Sequence, residues 1–136
     1  MSDQPNSKGV FEANSLMLLK MIKSFNYGMD FAGRPFKIEP KQIFPFAVVN
    51  AYAKNFGSLE KKMHLKIQNG AVGVITQPVF DIENVKKLLE NFENAKENVE
   101  GDKRKAQLIF GVFPITKLRT ALFLSAQVPG IHVPQF

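Results

Sequence analysis

Three short apolar runs, each followed by an amphipathic stretch, constrain this chain more than any other feature. They are IFPFAVV at residues 43–49, AVGVIT at 71–76 and AQLIF at 106–110. Their starts fall about 30 to 35 residues apart, the length of one strand-plus-helix unit. Each run is short and rich in Val, Ile or Leu, which predicts strands buried on both faces. Pro45 weighs against a central position for the first of them, because proline cannot donate to a ladder. Buried strands alternating with helices predict a parallel sheet in an α/β fold.

The intervening stretches carry helix signals. Asn14 or Ser15 is placed to cap a helix reaching about Phe25, with Leu18, Leu19, Met21, Ile22 and Phe25 as its apolar stripe. Residues 27–40 hold Gly28, Gly33, Pro35 and Pro40 and read as turn. Ser58 stands where a cap would open a second helix through about Asn69, closed by Gly70. Asp81 heads the clearest helix, in which Ile82, Val85, Leu88, Leu89, Phe92 and Ala95 recur at helical spacing. Residues 97–105 form a charged loop, and Thr116 is expected to cap a last helix to about Gln127. Residues 1–136 read as one domain.

Three such units do not close a barrel, which takes about 250 residues. Residues 1–7 also read like a loop that follows a strand. Two architectures stay open. One is a small open sheet with helices on both faces. The other is a partial (βα)8 TIM barrel lacking the first four strands and the last. In either, ligands sit at the carboxyl ends of the parallel strands. That rim gathers Asn50, Thr76, Gln77 and residues 111–114, and Asp3 if the opening loop joins it.

Composition narrows the chemistry. Hydrophobic residues at 45% and charged residues at 22% match an ordinary globular domain and exclude a disordered one. The absence of cysteine excludes disulfides, thiolate metal sites and a cysteine nucleophile. His64 and His132 have no metal-ligand spacing, and no P-loop, GxGxxG, HExxH or GxSxG motif occurs. The net charge of +6 comes from scattered residues, the tightest cluster being 103–105. It reads as solvated surface or as a basic mouth for a phosphate-bearing or other polyanionic ligand. With no nucleic-acid motif beside it, no nucleic-acid partner is expected. No apolar run reaches the roughly 18 residues needed to cross a bilayer, and residues 1–9 lack a signal peptide's apolar stretch. A soluble, cytoplasmic chain with no membrane partner is therefore expected.

Gln77 is the sharpest single residue. It ends a buried run before Pro78, and its neutral amide both donates and accepts, which suits a heteroaromatic ring edge that shows both kinds of group. It could equally cap local backbone. Asp3, in DQP, is either a carboxylate that tunes a cofactor or a turn-former before Pro5. Lys66 either reaches an anionic cofactor or is solvated. Phe80 and Phe113, near strand ends, are either core plugs or stacking platforms.

These positions carry a family resemblance. KIQNGAVGVITQPVFD, residues 66–81, resembles the K-x-x-x-GA-x-x-x-x-TQ-x-x-F-D segment of methylenetetrahydrofolate reductases. GVFPIT at 111–116 is similar to that family's G-I-x-P-I/V loop, VPGIHVP at 128–134 to the stretch that follows, and DQPNSKGVFEANSL at 3–16 to its G-D-x-P loop and helix entry. The resemblance implies a (βα)8 barrel holding FAD. Hydride would pass from NADH or NADPH through FAD to 5,10-methylenetetrahydrofolate, giving 5-methyltetrahydrofolate in one-carbon metabolism.

By match, Asp3 is the catalytic carboxylate near flavin and folate, Gln77 bonds the pterin, and Lys66 lies on the FAD side. Asn50 and Ala13 align with FAD-contacting positions. Ser2 stands where the family has glycine, and Met1 where an arginine often lies. Leu118 replaces an aromatic seen in some members, while Leu59, Lys62 and Leu65 replace polar FAD-side residues. The family's general-acid glutamate and its threonine and histidine contacts to FAD belong to early strands that this chain lacks. The alternative is a non-catalytic half-barrel that binds an anionic ligand or a partner subunit. Uncovered barrel edges imply a homo-oligomer or other association.

Overall fold

Asn14 opens the first described element: its side-chain oxygen accepts from the Met17 N–H at 2.9 Å. The computed structural model describes residues 14–97, 99, 101 and 105–134. Helix α1 (Ser15–Asn26) leads to β1 (Phe46–Val49), α2 (Phe56–Gln68), β2 (Gly73–Pro78), α3 (Ile82–Glu97), β3 (Gln107–Gly111) and α4 (Leu118–Gln127). The alternation is the one expected. The three strands form one parallel sheet in the order β1-β2-β3.

The apolar runs end up in the strands, with shifted bounds. β1 starts at Phe46 rather than Ile43. The Ile43 N–H donates to Asn26 Oδ1 at 2.9 Å, and Asn26 Nδ2 donates to the Ile43 carbonyl at 2.7 Å. Residue 43 is thus held by a side chain of α1 and not by a ladder. β2 starts at Gly73 rather than Ala71, because the Ala71 N–H closes the end of α2 on the Lys66 carbonyl at 3.0 Å.

Two caps also differ from expectation. Asn55, not Ser58, caps α2, and its Oδ1 accepts from the Ser58 N–H at 3.0 Å. Thr116 does not cap α4, whose N-cap is Lys117 with no side-chain bond. Asp81 heads α3 as read, its Oδ1 accepting from the Asn84 N–H at 2.7 Å.

The sheet is covered on one face. Val49 and Val74 join Leu59, Met63 and Ile67 of α2 and Leu88 and Phe92 of α3 in the main core, with Leu108 and Phe110 of β3 packed against it. Ala47, on the Val49 side of β1, packs with Leu19 of α1 and with Ala71. Met63, Ile67, Leu88 and Phe92 are almost fully buried. Burial of each such side chain contributes about 1.5–3 kcal/mol.

On the other face, Phe46, Val48 and Ile109 are 46%, 59% and 41% exposed. Burial on both faces is therefore not observed for β1 or β3, whereas the central β2 has no exposed residue; nor do α1, α2 and α3 divide between the faces. Helices outside and an apolar inner face are the arrangement of a (βα)8 barrel wall, and the sheet is consistent with part of one. In α3, Ile82 and Leu89 are exposed instead of joining the core stripe. Asn84 takes a buried place because its amide donates to the Ala51 carbonyl at 2.6 Å.

Candidate functional site

The carboxyl ends of β1 and β2 bring two side-chain amides together. Asn50 follows the last residue of β1. Its Oδ1 accepts from the Tyr52 N–H at 2.8 Å, which turns Nδ2 away from that loop. Gln77 is the penultimate residue of β2, where the register against β3 shifts between Ile75 and Pro78. The shift is built by Thr76, whose buried hydroxyl accepts from the Gly111 N–H at 3.0 Å. A Cβ on Gly111 would lie 2.7 Å from the Thr76 carbonyl, so the close approach of β3 requires glycine.

Both amides meet at Gly130. A Cβ there would lie 2.7 Å from Gln77 Oε1, 3.3 Å from Gln77 Nε2 and 3.0 Å from Asn50 Nδ2. Gly130 has φ +81°, which glycine adopts without strain. Residues 128–134 therefore pass over the rim directly above the pair. Gln77 Oε1 is buried with no hydrogen-bond partner among the described residues. A buried acceptor left unpaired costs about 1–3 kcal/mol, a deficit that a ligand N–H would remove.

A second feature lies beside the first. A cavity of about 410 Å³ opens between the end of β1 and the face of α2, with Asn50, Asn55, Ser58, Lys62 and Lys66 supplying its polar lining. Lys66 Nζ donates to the Val48 carbonyl at 2.6 Å, on the outer side of β1. Burial pushes the Lys66 amine below the ordinary lysine range, and the neighbouring Lys62 charge adds to the effect. Two lysine amines, two amides and a hydroxyl suit an anionic, phosphate-bearing group. Asn50 belongs to both features and joins them.

Tyr52 braces the rim. Its hydroxyl donates to Asp81 Oδ2 at 2.9 Å and accepts from the Phe80 N–H at 2.8 Å. Its ring meets His132 edge-on with centroids 5.3 Å apart. Burial raises the Tyr52 hydroxyl above the ordinary tyrosine range, and the Asp81 carboxylate pushes the same way.

The structure thus brings together Asn50 and Gln77, and places Lys66 within reach of Asn50's cavity. Asp3 and Ala13 lie outside the described residues. Phe113 and Leu118 are exposed, at 43% and 76%. Gly130 and Tyr52 are absent from the residues that the sequence points to. The Pro129–Gly130 dipeptide is a turn signal that could have flagged the first. One tyrosine just past a strand carries no such mark. No group of acids and histidines able to hold a metal, and no helix long and apolar enough to cross a membrane, occurs among the described residues.

A family profile described as methylenetetrahydrofolate reductase matches residues 3–136. No curated protein and no solved structure matches the chain.

Proposed function

The chain belongs to the methylenetetrahydrofolate reductase family, and from that premise we propose that its rim is the folate-facing part of a flavin-dependent oxidoreductase. The reaction is reduction of 5,10-methylenetetrahydrofolate to 5-methyltetrahydrofolate with NADH or NADPH. The observation that carries this reading is the buried, unpartnered Gln77 Oε1 beside Asn50 Nδ2. An acceptor and a donor that converge on one point of the rim complement the mixed donor and acceptor edge of a pterin ring.

The residues present also fit FAD. Lys62, Lys66 and Ser58 would hold its phosphate-bearing part, with Asn50 at the boundary between cofactor and folate. When bound, FAD supplies the redox chemistry, accepting hydride from the nicotinamide and delivering it to the folate. The chain's own groups orient the folate through Gln77, hold an anion through Lys66 and exclude water with residues 128–134. Asp3 is assigned by resemblance the role of a carboxylate that stabilises cationic character on the folate. The site of action is the cytoplasm.

The test is reconstitution. The purified chain is titrated with FAD, and oxidation of NADH and NADPH is followed with and without 5,10-methylenetetrahydrofolate. Bound flavin turns the protein yellow, and Lys66→Ala weakens that binding. A colourless chain that leaves both nicotinamides unoxidised favours the second reading, a non-catalytic half-barrel that binds an anionic ligand or a partner. The bare apolar face at Phe46, Val48 and Ile109 is the observation that keeps this second reading in play.

A further inference from the structure

We infer that the Tyr52 side chain is a positioning group that braces the loop following Gln77 against the loop following Asn50 and holds residues 128–134 over both amides. The consequence for ligand binding rests on the reading that Asn50 and Gln77 receive the folate.

Three separate connections leave Tyr52. Its backbone N–H engages Asn50 Oδ1 at 2.8 Å. An asparagine amide presents an oxygen on one side and an NH2 on the other. Fixing the oxygen toward Tyr52 therefore fixes the NH2 toward Gly130, where a Cβ would lie 3.0 Å from Nδ2. The phenol holds the loop after Gln77 by donating to Asp81 Oδ2 at 2.9 Å and accepting from the Phe80 N–H at 2.8 Å. Only a hydroxyl does both at once. The ring lies against His132 at 5.3 Å, two residues beyond the glycine that covers Gln77.

One side chain thus ties the β1–α2 loop, the β2–α3 loop and the carboxyl-terminal segment to each other. A ligand reaching Gln77 Oε1 meets a donor already turned toward it. The bracing is separable from the fold. Asp81 Oδ1 still caps α3 through the Asn84 N–H, and Asn84 still reaches the Ala51 carbonyl, when the phenol is removed.

Tyr52→Phe keeps the ring and deletes both phenolic bonds, while His132→Ala deletes the ring contact and spares them. Hydrogen–deuterium exchange on the full chain reads the bracing, and titration with 5-methyltetrahydrofolate and, separately, with FAD reads its consequence. In Tyr52→Phe, the Phe80 amide exchanges about tenfold faster while the amides within α3 keep their protection. In His132→Ala, residues 130–133 exchange faster and Phe80 does not. Both variants bind 5-methyltetrahydrofolate about tenfold more weakly and FAD as the parent does.

A Tyr52→Phe chain with parental exchange at Phe80 overturns the inference, whatever the folate result. So does one that exchanges faster yet keeps parental folate affinity. A parent chain that binds no folate sinks the functional reading instead, and the exchange measurement alone then decides whether Tyr52 braces the rim.

Discussion

At Gln77, burial and an unmet hydrogen bond coincide, and the side chain is worth more to a ligand than to the fold. Gln77→Leu removes the unpartnered acceptor and should cost folding little. It is expected to raise the folate Kd or KM by tenfold or more, since the loss of one well-placed bond of about 1.4 kcal/mol is a factor of ten. Flavin content should stay unchanged; unaltered folate kinetics would remove Gln77 from the site. Lys66 makes a different kind of prediction. Its folded-state pKa lies below the unfolded value of about 10.4, so folding disfavours the charged form. The penalty is present below the folded value and relieved as pH rises through it toward the unfolded one. The melting temperature of the parent should therefore rise relative to Lys66→Met as pH climbs from 7 toward 10. A difference that is flat over this range contradicts the burial of that amine.

Helix starts offer a sharper test at the scale of the element. Asn55 supplies a side-chain oxygen to the first turn of α2, whereas Ser58 supplies only its backbone N–H. Asn55→Ala should destabilise the chain by about 1 kcal/mol. Ser58→Ala should stay within about 0.5 kcal/mol, as urea melts of the two variants would show. Equal losses would return the cap to Ser58. The same pair shows what was legible in the sequence. Asn14, one of the two residues offered for the first helix, and Asp81 stood directly before their helices and cap them. Asn55 is followed by Phe56 and Gly57, and a serine closer to the amphipathic stripe drew the start inward. The strands were legible as apolar runs, but their ends depend on partners distant in sequence. Asn26 seizes Ile43, and the turn after α2 takes Ala71. Gln77 and Lys66 were marked by a family pattern. Gly130 stood inside a stretch that the family pattern covers, but its approach to Gln77 and Asn50, like the bracing by Tyr52, joins units distant in sequence, and no local spacing encodes it.

For the whole molecule, the informative mismatch is between sequence and exposure across the sheet. The strands are apolar on both sides, as buried parallel strands are. The structure buries Ala47, Val49 and Val74 against helices, yet leaves Phe46, Val48 and Ile109 substantially in water. Phe46 also lies so close over Gly73 that a Cβ there would be 2.5 Å from its ring, so this apolar surface is packed and not loose. The edge of β1 lacks a strand neighbour among the described residues, and one of its carbonyls is met by a lysine ammonium. Exposed apolar area beside a free strand edge drives association. We therefore expect the isolated chain to sediment with a mass that grows with concentration. Val48→Lys together with Ile109→Lys should shift it toward the monomer, because charges on that face oppose its burial in a contact. The helix-side core is untouched by these changes, so far-ultraviolet circular dichroism should keep its helical content. A parent chain that remains monomeric at every concentration would mean that the bare face is tolerated in water, and the argument for an inner barrel wall would lose its physical basis.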